Sequence, residues 1–401
     1  MLNQVIILIN DQNVAKLCDL GLATSPNPEE ALLTGEDSDM LPGTYFYMSP
    51  ELLYSVNSKQ LWSNLKGYGI SAKPKPSPFT FFQSEDICQH FASISSTHPE
   101  VDFTFSNILQ LNNDFPYPEF ELTEFTCDEI KQAISNIKST ACGIVGISDQ
   151  HLGLMDDFGV QSVTDIFNNC INQKIFPTIW KKTLILPLTK TNSPAELSDL
   201  RPIALICALG KVFEKLIFKQ LNKYINDNSL ISSNQFGYRS GYGTDACLLK
   251  LISDINSAID KQMVTISVLF DLSKAFDNVN HAILLEKLKH KNFSNNFLKL
   301  LNSYLSNRLI AVTDGSNQLS SWNRVTCGVP QGSILGPLLF ILYADDLHSN
   351  MKYSTSMSYV DDTQIYLHCH PSDIYRGLKK IESGVVFSNF FVLYRLFVVH
   401  H

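Results

Sequence analysis

No Cys-x-x-Cys spacing, no internal repeat and no uncharged apolar run approaching the roughly 18 residues of a bilayer span occurs in this sequence. Zinc ribbons, dithiol redox centres, solenoids and membrane-spanning helices are thereby set aside. The 9 cysteines are scattered and odd in number, which suits a reducing, intracellular setting better than a disulfide framework. The apolar stretch "VIILI" (5–9) is too short for a secretory leader and lacks a basic start and a cleavage site. A soluble protein of the cytoplasm or nucleus, with no membrane partner, is expected. With 44% hydrophobic and 17% charged residues, disorder is also set aside.

A net charge of −8 argues against a nucleic-acid partner only on average. Residues 1–60 carry eight acids against two bases, whereas residues 174–224 carry nine Lys and Arg against three acids. That basic stretch is either a phosphate-binding surface or a solvated helix face. Composition shifts again at "SAKPKPSPF" (71–79), whose prolines predict an extended connector. Beyond it, residues 208–224 carry apolar residues at a 3.6-residue period, and 246–262 repeat this with Leu248, Ile252, Ile255 and Ile259 on one face. Further helices are predicted near 282–290 and 296–306. The β-branched run "VTISVLFDL" (264–272) predicts a buried strand. Helices mixed with a few strands imply an α+β layer architecture.

The pattern Tyr-x-Asp-Asp appears twice, at 343–346 and 359–362. Pro337 and the apolar run after it predict a helix whose C-terminus holds Asp345 and Asp346, an exposed helix end where the macrodipole disfavours acids. The second pair lies between two alternating β-rich segments, which predicts a hairpin with Asp361–Asp362 as its turn. Asp271, at the end of the buried strand, is costly there unless paired or metal-bound. If the hairpin packs beside that strand, Asp271 faces Asp361 with Asp362 nearby, a carboxylate set suited to two divalent ions. Taken singly, each is equally a surface strand end or turn. The cluster "HCH" (368–370) is read as ordinary surface residues, since three neighbours on one short segment rarely converge on an ion.

Six ordered blocks resemble the reverse transcriptases of non-long-terminal-repeat retrotransposons, of the Jockey and LINE kind. They are "SKQLWSNLKGYGI" (58–70), "LPLTKTNSPAELSDLRPIAL" (186–205), "NQFGYRSGYGTDACLLKL" (234–251), "FDLSKAFDNVNHAILLEKL" (270–288), "GVPQGSILGPLLF" (328–340) and "YVDDTQIYL" (359–367). The resemblance implies a right-hand polymerase fold with fingers and palm, the thumb missing or truncated. It implies Asp271, Asp361 and Asp362 as ligands of two Mg²⁺ ions, with Mn²⁺ as an alternative. Lys190 and Arg201 match basic residues that grip a triphosphate; Lys190 is equally an ordinary surface lysine. Phe276 matches the ring beside the nucleotide sugar, or else packs in the core. Gln331 matches a residue contacting the incoming nucleotide, with Gly328, Pro330, Gly332 and Gly336 letting backbone approach the base pair. The implied partners are an RNA template, a DNA primer and deoxynucleoside triphosphates. The rival reading is an inactive remnant that at most binds nucleic acid.

Residues 14–25 and 42–53 resemble the activation segment of a protein kinase, from Asp19-Leu20-Gly21 to Ser49-Pro50-Glu51. The Gly-rich loop, strand lysine and catalytic loop of a kinase are missing, so no kinase activity is expected. The expected divisions are a kinase-like remnant (1–55), a retroelement linker (56–115), fingers and palm (116–383), and an aberrant apolar tail (384–401) prone to aggregation.

Overall fold

The computed structural model describes residues 5–9, 15–19, 76–96, 115–135, 143–239, 241–272, 274–314, 319–349, 354–384 and 392–400. Its strands are β1 (Val5–Ile9), β2 (Ala15–Asp19), β3 (Lys182–Thr189), β4 (Leu200–Leu205), β5 (Val264–Leu272), β6 (Arg308–Val312), β7 (Asn323–Val325), β8 (Thr355–Tyr359), β9 (Asp362–Cys369) and β10 (Val392–His400). One sheet has the order β2-β1-β10-β5-β9-β8 with every pairing antiparallel. The other, β4-β3-β6-β7, is mixed, with β3 and β6 parallel.

The larger sheet is covered on both faces because β5 and β9 alternate. Ile266, Val268, Phe270, Ile365 and Leu367 pack with Ile381, Ile374 and Leu378 of the Ile374–Gly384 helix. Met357 and Tyr366 pack instead with Phe236 and the Thr244–Asp260 helix. Within that helix only part of the predicted stripe is covered. Ile255 and Ile259 are half-buried, Leu248 and Ile252 are exposed, and Ala246, Cys247 and Leu251 make the contacts with Met357 and Tyr366. The hydroxyl of Tyr366 bonding to Asp254 fixes the helix's rotation, a tertiary bond that periodicity does not register.

Elsewhere periodicity and elements coincide. The run at 208–224 folds as Ala208–Asp227, burying Val212, Phe213, Leu216, Ile217 and Leu221 in the main core. The helices at His281–Lys289 and Asn295–Leu305 start where Asn280 and Ser294 side chains accept from Ile283 N (3.1 Å) and Phe297 N (3.1 Å). In the buried Glu214, Oε2 accepts from the amides of Ile334 (2.8 Å) and Leu335 (3.2 Å), at the start of the Gly336–Ala344 helix. Burial raises its carboxyl above the ordinary range.

Two stretches are more structured than their composition implies. Within 56–115, read as linker, Ser84–Ile94 is a helix whose Ile87, Cys88, Phe91 and Ala92 pack against Ile185, Ala204, Ile310 and Val312 of the smaller sheet. The connector's last residues, Pro78–Thr80, form a 3-10 turn. In the tail, β10 lies between β5 and β1, pairing with β5 over 392–399 and with β1 over 396–400. The doubly paired stretch leaves no open edge, whereas 392–395 pair with β5 alone. Of the kinase-like head, only the backbone of β1 and β2 is described, and both add to the same sheet. Residues 20–55 lie outside the described residues. Among the described residues, no helix is long and apolar enough to cross a membrane.

Candidate active site

The β8–β9 hairpin pairs Tyr359 with Asp362, so its two-residue turn is Val360–Asp361. The expected Asp361–Asp362 turn is therefore displaced by one residue. Val360 takes φ 64°, a left-handed conformation that a β-branched residue adopts at a cost of about 1–3 kcal/mol. A turn placed by sequence preference avoids that strain, which explains the shift. Asp361 is partly buried at the tip, and Asp362 is exposed as the first residue of β9. The β5–β9 register ends with Phe270 opposite Thr363, so the next residues along the two strands are Asp271 and Asp362. Asp271 thus stands level with Asp362 rather than with Asp361. Only its backbone is described.

A cavity of about 640 Å³ opens beside this hairpin, and Lys190, Arg201, Phe276, Gln331 and Asp361 all line it. Five of the seven residues given a metal-binding or nucleotide-contacting role from sequence thus share one wall system, although Lys190 and Asp361 are 171 positions apart. Asp362 is not among the lining residues. Lys190 closes β3, where its amide donates to Asp199 O (2.8 Å) and its Nζ to Ser198 O (2.6 Å). Arg201 is exposed on β4, opposite Leu188. Phe276 stacks on Phe340 (4.9 Å between centroids, 25°) and also lines the cavity, so core packing and site lining coexist in one ring.

Gln331 is held at both ends. Its carbonyl accepts from Ala204 N (3.1 Å) on β4, and its Nε2 donates to Asp277 Oδ2 (2.8 Å). Gly328, at φ 85°, brings this loop against the 276–279 segment: its amide donates to Val279 O (2.8 Å), and Val329 N donates to Phe276 O (2.8 Å). A Cβ there would meet Asp277 O at 2.7 Å. The glycine's freedom is used here for packing protein backbone on protein backbone.

Further residues line the cavity that sequence reasoning missed, among them Lys274, Asp277, His90 and Arg308. The first two follow Asp271 within "FDLSKAFD", and their placement depends on Lys274 turning the chain at φ 54°. His90 lies on the helix that was read as linker. Burial of Asp277 pushes its carboxyl up to about 6, partly offset by the Gln331 hydrogen bond and the Lys274 charge. His90 is lowered, first by burial and then by the charges of Lys274 and Lys190. Lys190, Arg201, Lys274 and Arg308 against Asp277 and Asp361 make the cavity suited to a polyanion with apolar portions, which Phe91, Ile185 and Phe276 would meet.

The first acidic pair is built differently: Asp346 is exposed at the helix end as expected, whereas Asp345 is not. Asp345 has a side chain 12% exposed, pairs with Lys291 (2.7 Å) and accepts from Ser232 N (2.8 Å). Asp346 pairs with Lys287 (2.7 Å). In the "HCH" cluster, His368 Nδ1 contacts Thr265 Oγ1 (2.9 Å) and His370 caps the turn at Ser372. Among the described residues no three His, Cys, Asp or Glu side chains gather as a metal site, a set that excludes the Asp271 side chain.

Comparison with known proteins defines the class. The profile of the family "Reverse transcriptase (RNA-dependent DNA polymerase)" matches residues 181–392, just over half of the chain, and the chain belongs to that family. Among similar proteins of Drosophila melanogaster, the probable RNA-directed DNA polymerase from transposon X-element is 32% identical over 238 residues, 59% of this chain and 26% of that protein. The RNA-directed DNA polymerase from mobile element jockey is 29% identical over 255 residues, 63% of this chain and 27% of its own. The probable RNA-directed DNA polymerase from transposon BS is 32% identical over 222 residues, 55% and 24% respectively. The chain spans about a quarter of the length of these curated relatives.

Proposed function

We propose that the chain is the fingers-and-palm part of a non-long-terminal-repeat retrotransposon reverse transcriptase. It would extend a DNA primer on an RNA template by transferring deoxynucleotides from their triphosphates. The observation that carries this reading is the single cavity in which Lys190, Arg201, Phe276, Gln331 and Asp361 meet. Carboxylate oxygens suit hard cations, and the strand register brings positions 271, 361 and 362 to one end of the sheet, so the donor set fits Mg²⁺ or Mn²⁺. Two ions held by Asp271, Asp361 and Asp362 would supply activation of the primer hydroxyl and offset phosphate charge.

The remaining work is positioning. Lys190, Arg201 and Lys274 would hold the triphosphate, Arg201 as a fork and the lysines as point charges. Phe276, fixed on Phe340, would wall off the sugar's 2′ side and so favour deoxynucleotides. Gln331, tied to Asp277 and Ala204, would face the nucleotide with a fixed amide. The test is primer extension on RNA with Mg²⁺, comparing the parent with Asp361→Ala. Extension lost only in the variant supports the reading. Extension by both removes Asp361 from the site. Salt-dependent RNA binding without extension by either favours a binding-only remnant. For residues 1–55 we infer a kinase-derived origin without kinase activity, carried by the order of the two motif blocks; the thermal shift with ATP should be nil.

A further inference from the structure

We propose that Gln235 is a positioning residue that holds the Asp361 turn in its strained conformation, with Gly237 as the space that lets it do so. The feature that needs explaining is Val360, a β-branched residue at φ 64° immediately before Asp361. Such a conformation persists only where the surroundings over-determine it.

The Gln235 side chain supplies that constraint. It is 2% exposed, and its amide brackets one residue: Val360 N donates to Oε1 (3.0 Å), while Nε2 donates to Val360 O (3.2 Å). The same Oε1 accepts from Gly237 N (2.9 Å), so the segment folds onto its own clamp. Backbone bonds hold the two pieces in register on the near side of the turn: Phe236 N to Ser358 O (2.8 Å) and Ser358 N to Asn234 O (2.9 Å). Arg239 Nη1 secures the far end by donating to Ser232 O (2.7 Å) and Gln235 O (3.1 Å). At position 237 a Cβ would lie 2.6 Å from Val360 N and clash with its side chain, so only glycine permits this approach. "NQFGYR" (234–239) therefore sets the backbone of a tip 125 positions away, the separation between Gln235 and Val360.

Without the clamp, Val360 would revert to negative φ and swing Asp361 off the cavity wall. The effect on catalysis rests on the polymerase reading, whereas the clamp itself does not, and the experiment separates them. The full chain is compared with Gln235→Leu, Val360→Gly and the double variant. Hydrogen exchange of the 357–363 segment should quicken at least about tenfold in Gln235→Leu, the scale set by releasing one strained residue. The 264–270 strand should be unchanged. In primer extension, kcat should fall by about tenfold or more with KM for the nucleotide changed less than about threefold. Because glycine adopts φ 64° unaided, adding Val360→Gly to Gln235→Leu should return kcat to that of Val360→Gly alone.

Unchanged exchange in the 357–363 segment would overturn the proposal. So would a double variant no better than Gln235→Leu. Should the leucine variant unfold as a whole, recovery of the fold by the added glycine supports the clamp, and failure to recover refutes it. If the parent extends no primer, the polymerase reading fails and the exchange comparison alone decides the role of Gln235.

Discussion

The two Tyr-x-Asp-Asp copies, at 343–346 and 359–362, share the tyrosine and the acidic pair, differ at the second position (Ala344 against Val360), and meet different fates. In the first, Asp345 is held in a mostly buried place by Lys291 and the Ser232 amide, and Asp346 pairs with Lys287 at the surface. They tie the end of the Gly336–Ala344 helix to the His281–Lys289 helix, through Lys287, and to the segment after it, through Lys291. In the second, Asp361 is lifted onto the wall of a cavity by a turn whose strain is held from outside. An acidic pair after a helix recruits lysines because the helix end and the acids are both negative. At the hairpin tip Asp361 is partly buried and lines the cavity beside it. The motif alone distinguishes neither; the structure on either side does.

The contrast can be broken most directly through activity. Asp361→Ala should reduce primer extension by at least about a thousandfold, the scale of losing a group at the reacting atoms, whereas Asp345→Ala should retain extension wherever it stays folded. Equal loss in both, measured well below the unfolding transition, would dissolve the distinction. Next in size, Asp345→Ala should destabilise by about 2 kcal/mol in urea unfolding, because Lys291 and the Ser232 amide lose a partner in a mostly buried place.

A smaller effect concerns pH. The folded pKa of Asp277 is about 6, above the roughly 3.9 of an unfolded Asp, so the folded state holds this proton more tightly. Its contribution to stability is full below about pH 4 and is lost as pH rises through about 6. Asp277→Asn should flatten that part of the stability profile; an unchanged slope would show that Asp277 does not titrate there. Smallest of all, Asp346→Ala should cost under about 1 kcal/mol, since its side chain is 54% exposed and surface pairs contribute little.

Much of this arrangement was legible from local pattern. The helices at 208–227 and 281–289, the strand at 264–272 and the hairpin were all anticipated from apolar pattern. That Lys190, Arg201, Phe276, Gln331 and Asp361 belong to one site was implied by the family resemblance, and all five line the cavity. What stayed hidden depends on distant partners. The turn moved by one residue because Gln235 and Gly237 override the preference of valine. The Thr244–Asp260 helix covers only part of its predicted stripe because Tyr366 holds Asp254. His90 entered the cavity because β3 and β6 pair in parallel and offer the 84–94 helix a surface to cover. None of these couplings leaves a trace in local composition.

The pairing of Leu393 with Asp271 means that β5 has neighbours along both flanks, β9 on one and β10 on the other. A foreign strand seeking to extend the ladder at Asp271 would first have to peel away residues 392–400. Residues 392–400 therefore act as a splint for the acid nearest the hairpin, and fusions or cuts made there would bear on Asp271 as well as on the β1 pairing.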